Sequence, residues 1–223
     1  MFTGFSDATV DFMWGIRFNN EKPWFEAHKD IYLKEFYEPM RELGSEMYGH
    51  ISSRLPDYGL ILRVARIYRD ARRLHGRGPY KDNLWFSIEQ PAELWTANTC
   101  FFFGLHPEQW SYGMGYWMPK PATMAALRRR IDADPKTMEA MMRSLRRQSE
   151  FVLETEDYKR PRSPAPSDLV APWYRAKNFS LTHAEPLSEA LYSREIVERM
   201  KKGFDYLIPW YEYFVSLQGE EVP

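Results

Sequence analysis

A single cysteine, Cys100, in a chain of 223 residues leaves no partner for an internal disulfide, and its place in the apolar run Thr99–Gly104 marks a buried, inert thiol. A reducing compartment is implied. The five histidines, His28, His50, His75, His106 and His183, are scattered, and no His or Cys spacing suits zinc, so no metal is expected. No Gly-x-Ser-x-Gly elbow is present to activate a serine. No apolar run approaches the roughly 18 residues of a membrane span, and no basic segment precedes an apolar stretch at the start of the chain. The protein is therefore expected to be soluble and cytoplasmic, with no membrane partner. An excess of one charge is missing as well. With 30 Lys and Arg against 31 Asp and Glu and a pI near 6.5, the chain is poorly suited to non-specific binding along a nucleic-acid backbone.

What is present is an ordinary globular share of apolar residues, 44%, and a high share of aromatics, 16%, enough to fill the core of one domain spanning residues 1–223. The charge that balances over the whole chain is unevenly placed. The 20 residues Leu62–Lys81 hold seven Arg or Lys and one acid, whereas the stretch up to residue 62 holds 10 acids and 6 bases. As a strand, Leu62–Lys81 sends Arg66, Tyr68, Asp70 and Arg72 to one face; as a helix, Arg66, Arg69, Asp70 and Arg73 share a face. In both, Asp70 lies among guanidinium groups, where a carboxylate stays ionised and orients arginines rather than acting as a base.

The flanking patterns give the element order. Ser6 or Asp7 caps a first helix with Val10, Met13, Trp14 and Ile16 at helical spacing, ending near Asn19-Asn20. Pro23 falls in the first turn of a second, longer helix whose face runs through Trp24, His28, Ile31, Phe36, Met40, Leu43 and Met47, with a kink or break expected at Pro39. After the turn residues His75–Pro79, three β-rich runs, Leu84–Ile88, Thr99–Gly104 and Gln109–Trp117, form an antiparallel meander. In the last, Gly113 and Gly115 leave one face nearly bare, which lets a backbone or a ligand approach closely. Helices are expected over Thr123–Ile131 and Pro135–Glu150, with Arg128, Arg129 and Arg130 on a solvated face. A short helical segment near Asp168–Lys177, a strand at Phe179–Thr182 and a final helix capped by Ser188 and interrupted by Pro209 complete the chain. The fold class is α+β: a meander sheet packed by helices, with helices at both ends.

Arg66-x-x-Arg69-Asp70-x-Arg72, continuing to Pro79-Tyr80-Lys81, resembles the signature R-x-x-R-D-x-R-F-x-x-(D/N)-K-x-x-Y of a bacterial family of about this length whose function is unknown. The resemblance extends to Asn19-Asn20, Trp24-Phe25 and His28-Lys29, to the Gly113/Gly115 strand followed by prolines and Leu127-Arg128, and to Tyr174-Arg175-Ala176-Lys177. Three positions depart from it. The phenylalanine is Arg73, the Asp or Asn is Gly76, and the lysine is Arg77, a change that keeps charge but alters its geometry. The resemblance implies an α+β fold and supplies no reaction and no cofactor.

The residues by themselves point to a small-anion site. Arg66, Arg69 and Arg72 are its bidentate donors, Arg77 and Lys81 add charge, Tyr80 supplies a hydroxyl, and Asp70 orients the arginines. Trp24, His28, Gly113 and Gly115 are candidates for a pocket wall. Two other readings stand beside this one. In the first, the arginines pair internally with carboxylates and the chain is a structural or protein-interaction module; in the second, disfavoured by the charge balance, they bind nucleic acid. Nothing in the sequence sets the oligomeric state.

Overall fold

In the computed structural model, residues 1–70, 72, 74, 76, 78–92, 98–159 and 164–220 are described, excluding the side chains of 219 and 220. Six strands, β1 (Ile61–Val64), β2 (Leu84–Glu89), β3 (Cys100–Leu105), β4 (Gln109–Tyr116), β5 (Val152–Asp157) and β6 (Ala176–Pro186), form an antiparallel sheet in the order β1-β2-β3-β4-β6-β5. The expected meander is its centre. The fold is α+β. By backbone proximity the chain divides into two compact units, one comprising Met1–Ile88, Phe102–Tyr112 and Ala184–Lys202, the other Glu89–Phe101, Gly113–His183 and Gly203–Pro223.

The first unit begins with α1 (Asp7–Phe18), where Ser6 at the N-cap donates its backbone N–H to Thr9 Oγ1 at 3.1 Å. A turn at Asn19–Glu21 leads into α2 (Lys22–Ala27), with Pro23 in its first turn as expected, and then α3 (Lys29–Ile31). Pro39 does not break the helical run. A π-helix, Tyr32–Tyr37, passes directly into α4 (Glu38–Arg54). In a regular α-helix the carbonyl of Glu35 would bond the amide four residues on, and Pro39 has none. The Thr9 hydroxyl donates to that carbonyl instead, and the wider turn makes room for the proline ring. Phe12, Ile16, Phe25, Phe36, Met40 and Met47 are buried, each worth about 1.5–3 kcal/mol in apolar transfer. Ile31, expected on the inner face, is 42% exposed because the π-turn rotates the helix face, bringing Tyr32 inward.

In the second unit, Pro121 and Pro135 open α5 (Pro121–Ala133) and α6 (Pro135–Arg146), where a missing N–H leaves no helix bond unmade. β5, a strand not expected from the sequence, pairs antiparallel with β6 with a bulge between Glu156 and Asp157. Its acids meet cations: Lys177 Nζ lies 2.7 Å from Glu156 and Arg175 Nε 3.2 Å from Asp157. After α7 (Ala171–Arg175), β6 runs longer than the four residues expected. α8 (Glu195–Val215) continues through Pro209 rather than ending there. In this unit Trp173, Phe179, Trp210 and Phe214 pack as one cluster, with Phe179 and Phe214 rings 4.1 Å apart. Arg128, expected in solvent, is 7% exposed.

Candidate functional site

The arginine-rich stretch is a two-stranded ribbon. Tyr68 and Tyr80 form an isolated antiparallel bridge, flanked by Arg69 N–H to Pro79 O at 2.8 Å and Lys81 N–H to Ile67 O at 2.7 Å. This register puts Ile67, Arg69 and Lys81 on one face and Tyr68 and Tyr80 on the other. Tyr80 is buried, its ring stacked on Phe25 of α2 at 4.3 Å.

Asn20 holds the ribbon in place. Its side chain donates to Tyr80 O and accepts from Tyr80 N–H, both at 2.9 Å, completing the backbone pairing as a further strand would. The approach is so close that a Cβ on Gly78 would lie 2.1 Å from Asn20 Oδ1, so position 78 takes only glycine while the clamp stands. Arg69 Nε donates to the same Tyr80 carbonyl at 2.7 Å, which fixes the stem of its guanidinium.

The charges fall into three groups. Asp70 holds one arginine: its carboxylate accepts Arg72 N–H at 3.0 Å, Nε at 3.1 Å and Nη2 at 2.9 Å. Arg72 is 89% exposed, so this pair lies in solvent. A second group links α1 to the residues just before β2 and β4. Arg17 Nε donates to Asp82 Oδ2 at 2.6 Å, and its terminal nitrogens grip the Glu108 carboxylate, which they hold below the usual carboxylate range. His106 beside them, hydrogen-bonded to Asn83, is pushed down chiefly by burial. The third group is Arg66, Arg69 and Lys81. Arg69 reaches Asp82 only at 4.0 Å, and that carboxylate already serves Arg17. Arg66 is exposed, and neither it nor Lys81 has a carboxylate partner among the described residues. Burial first, then Arg69 and Arg66, push the Lys81 ammonium down to about 8.

Arg69 and Lys81 thus share a face of the ribbon, with Arg66 near enough to act on Lys81; Arg72 is committed to Asp70, and Tyr80 packs on Phe25 from the opposite face. Arg77 lies outside the described residues, as does Arg73. Trp24 and His28 turn toward α1. The His28 ring stacks on Trp24 at 3.9 Å and donates Nδ1–H to Trp24 O at 2.8 Å, while Trp24 covers Gly15. The bare face of β4 is covered by the chain itself: a Cβ on Gly113 would lie 2.0 Å from Leu181 O, and one on Gly115 2.8 Å from the Trp117 ring. Sequence reasoning missed Arg17, Asp82, Glu108 and the clamping role of Asn20. Asp82 follows Lys81 directly and was the one findable signal; the others lie far away in sequence. Among the described residues, no group of three His, Cys, Asp or Glu side chains could hold a metal ion, and no helix is long and apolar enough to cross a membrane.

The profile of a family described as "Conserved hypothetical protein (DUF2461)" matches residues 8–213, which takes in every element of this site. The chain belongs to that family. No curated protein matches it.

Proposed function

We propose, for this member of a family of unknown function, that Arg66, Arg69 and Lys81 bind a small anion, a phosphate or carboxylate group. The single observation that carries the reading is that Arg69 and Lys81 share a ribbon face, with Arg66 near enough to act on Lys81, while Asp82, which Arg69 meets at 4.0 Å, is also held by Arg17. Grouped like charges, one of them half-buried, raise the energy of the free protein, and an anion relieves it. Arg69 is already aimed by its bond to Tyr80 O, so little side-chain freedom is lost on binding.

Thermal unfolding in phosphate, at fixed ionic strength, tests this. Saturation at about 100 times the dissociation constant adds roughly 2.7 kcal/mol. Arg69→Gln should abolish the shift and Arg72→Gln, which removes an exposed arginine already paired with Asp70, should leave it. A phosphate effect absent from the parent chain, or unchanged in Arg69→Gln, refutes the proposal.

A further inference from the structure

The sheet has an open side. β5 is its last strand and pairs with β6 alone, and among the described residues no backbone group bonds it from the other direction. A strand edge in this state is a template for one more strand. β5 holds no proline that would block such pairing, and its bulge falls at the far end, so Val152–Glu156 is regular. Along it Leu153 and Thr155 lie on one face, Glu154 and Glu156 on the other.

Beside this strand runs a groove of about 410 Å³, lined by Leu153 and Thr155 of β5, Leu145 and Arg146 of α6, and Pro172 and Arg175 of α7. No described residue of β6 lines it, so it opens on the side of β5 away from β6. Leu153 and Thr155 stay partly exposed there, where a neighbouring strand would cover them. The groove has the place and the walls that the inward side chains of an added strand require.

The charges on its two sides differ in sign. The groove side carries Arg146, exposed and without a carboxylate partner among the described residues, and Arg175, whose Nε lies 3.2 Å from Asp157. The outer face carries Glu156, paired with Lys177, and the exposed Glu154, whose hydrogen bond comes from the neutral hydroxyl of Ser180 at 3.1 Å. A second copy of β5 is a poor occupant. Opposed residues of an antiparallel pair share a face, and the two registers that pair nearly the whole strand set Glu154 against Glu154 or against Glu156.

We propose that β5 receives an extended peptide segment of another protein as a seventh strand, with aliphatic side chains at alternate positions in the groove and Lys or Arg at the positions between them, facing Glu154 and Glu156. Backbone bonds along the open edge hold the segment, and the groove and the carboxylates select its two faces. The arginines of the groove turn basic side chains away from that side, which fixes which face of the segment enters. This surface does not depend on the anion site.

The probe is a fluorescein-labelled Leu-Lys-Val-Lys-Leu-Lys-Val peptide, compared by anisotropy with a Leu-Glu-Val-Glu-Leu-Glu-Val counterpart at 0.15 M salt. The full chain should bind the basic peptide about tenfold more tightly. Glu154→Lys, at an exposed position that leaves the fold intact, should abolish or reverse that preference. N-methylation of alternate peptide residues should block binding in one phase, where the amides face β5, and spare it in the other. No binding of either peptide up to about 1 mM, a preference unchanged in Glu154→Lys, or indifference to both N-methylated phases overturns the proposal. A dimer of the chain alone in sedimentation, altered by Glu154→Lys, would make a second copy the occupant and overturn it too.

Discussion

Removing the Asn20 side chain should do more damage than its half-exposed turn suggests. In Asn20→Ala the Tyr80 carbonyl keeps Arg69 Nε at 2.7 Å and stays satisfied, so on that side only one net hydrogen bond is lost, about 1 kcal/mol. The Tyr80 amide loses its acceptor and is left without one in a part-buried position, a further cost of about 1–3 kcal/mol. The sum is about 2–4 kcal/mol, or roughly 4–16 °C in Tm for a chain of this size. Gly78 sharpens the test. An alanine there would meet Asn20 Oδ1 at 2.1 Å, Cγ at 2.4 Å and the backbone oxygen at 2.5 Å, so Gly78→Ala must open the clamp. Two of those three atoms vanish in Asn20→Ala. The double variant should therefore be less destabilised than the two single changes added together, by about 1 kcal/mol or more. Denaturation midpoints of the four proteins at neutral pH measure it. Asn20→Ala within about 0.5 kcal/mol of the parent, or strict additivity, would refute the clamp.

Buried or paired charge sets two further outcomes. Among the described residues, Nη1 and Nη2 of Arg128 are enclosed without a hydrogen-bond partner, and the Tyr158 ring faces the guanidinium at 5.8 Å; Arg128→Met should match or exceed the parent by about 0–2 kcal/mol in chemical denaturation, and a loss above about 1 kcal/mol would contradict this. Glu46 is held below the usual carboxylate range first by its bonds from Arg194, which also donates to Phe2 O. A lowered carboxylate stabilises above its unfolded value and loses that contribution as pH falls through the folded one. Glu46→Gln should thus be weaker than the parent at neutral pH and converge with it in acid, and a gap that stays constant with pH would show that the pair's charge contributes nothing.

Much of the fold was legible because its signals are local. Ser6, Pro23 and Pro135 mark helix starts by backbone chemistry that no tertiary contact overrides, though α5 opens at Pro121 rather than at the expected Thr123, and the three meander strands are bounded by turns. The π-helix was not legible, since Pro39 reads as a break until Thr9, far away in sequence, supplies the missing bond to Glu35 O. β1 escaped notice because it is four residues long and only partly buried, and β5 because its sequence, Val152–Asp157, is mostly polar and acidic with its valine exposed. For the site, charge density located Arg66, Arg69 and Lys81, but which arginines would be spent on carboxylates depended on Asp82, on Glu108 and on Arg17, residues that only folding brings together.

The Asn20 clamp also orders events in time. The turn between Tyr68 and Tyr80 is local and closes on the scale of 10–100 ns, whereas Asn20 lies 60 residues from Tyr80 and arrives only once α1 and α2 have docked. A local opening that withdraws Asn20 from Tyr80 therefore releases the ribbon's clamp as well. The protein in which Arg69 and Lys81 are aimed is one in which its first twenty residues are already in place.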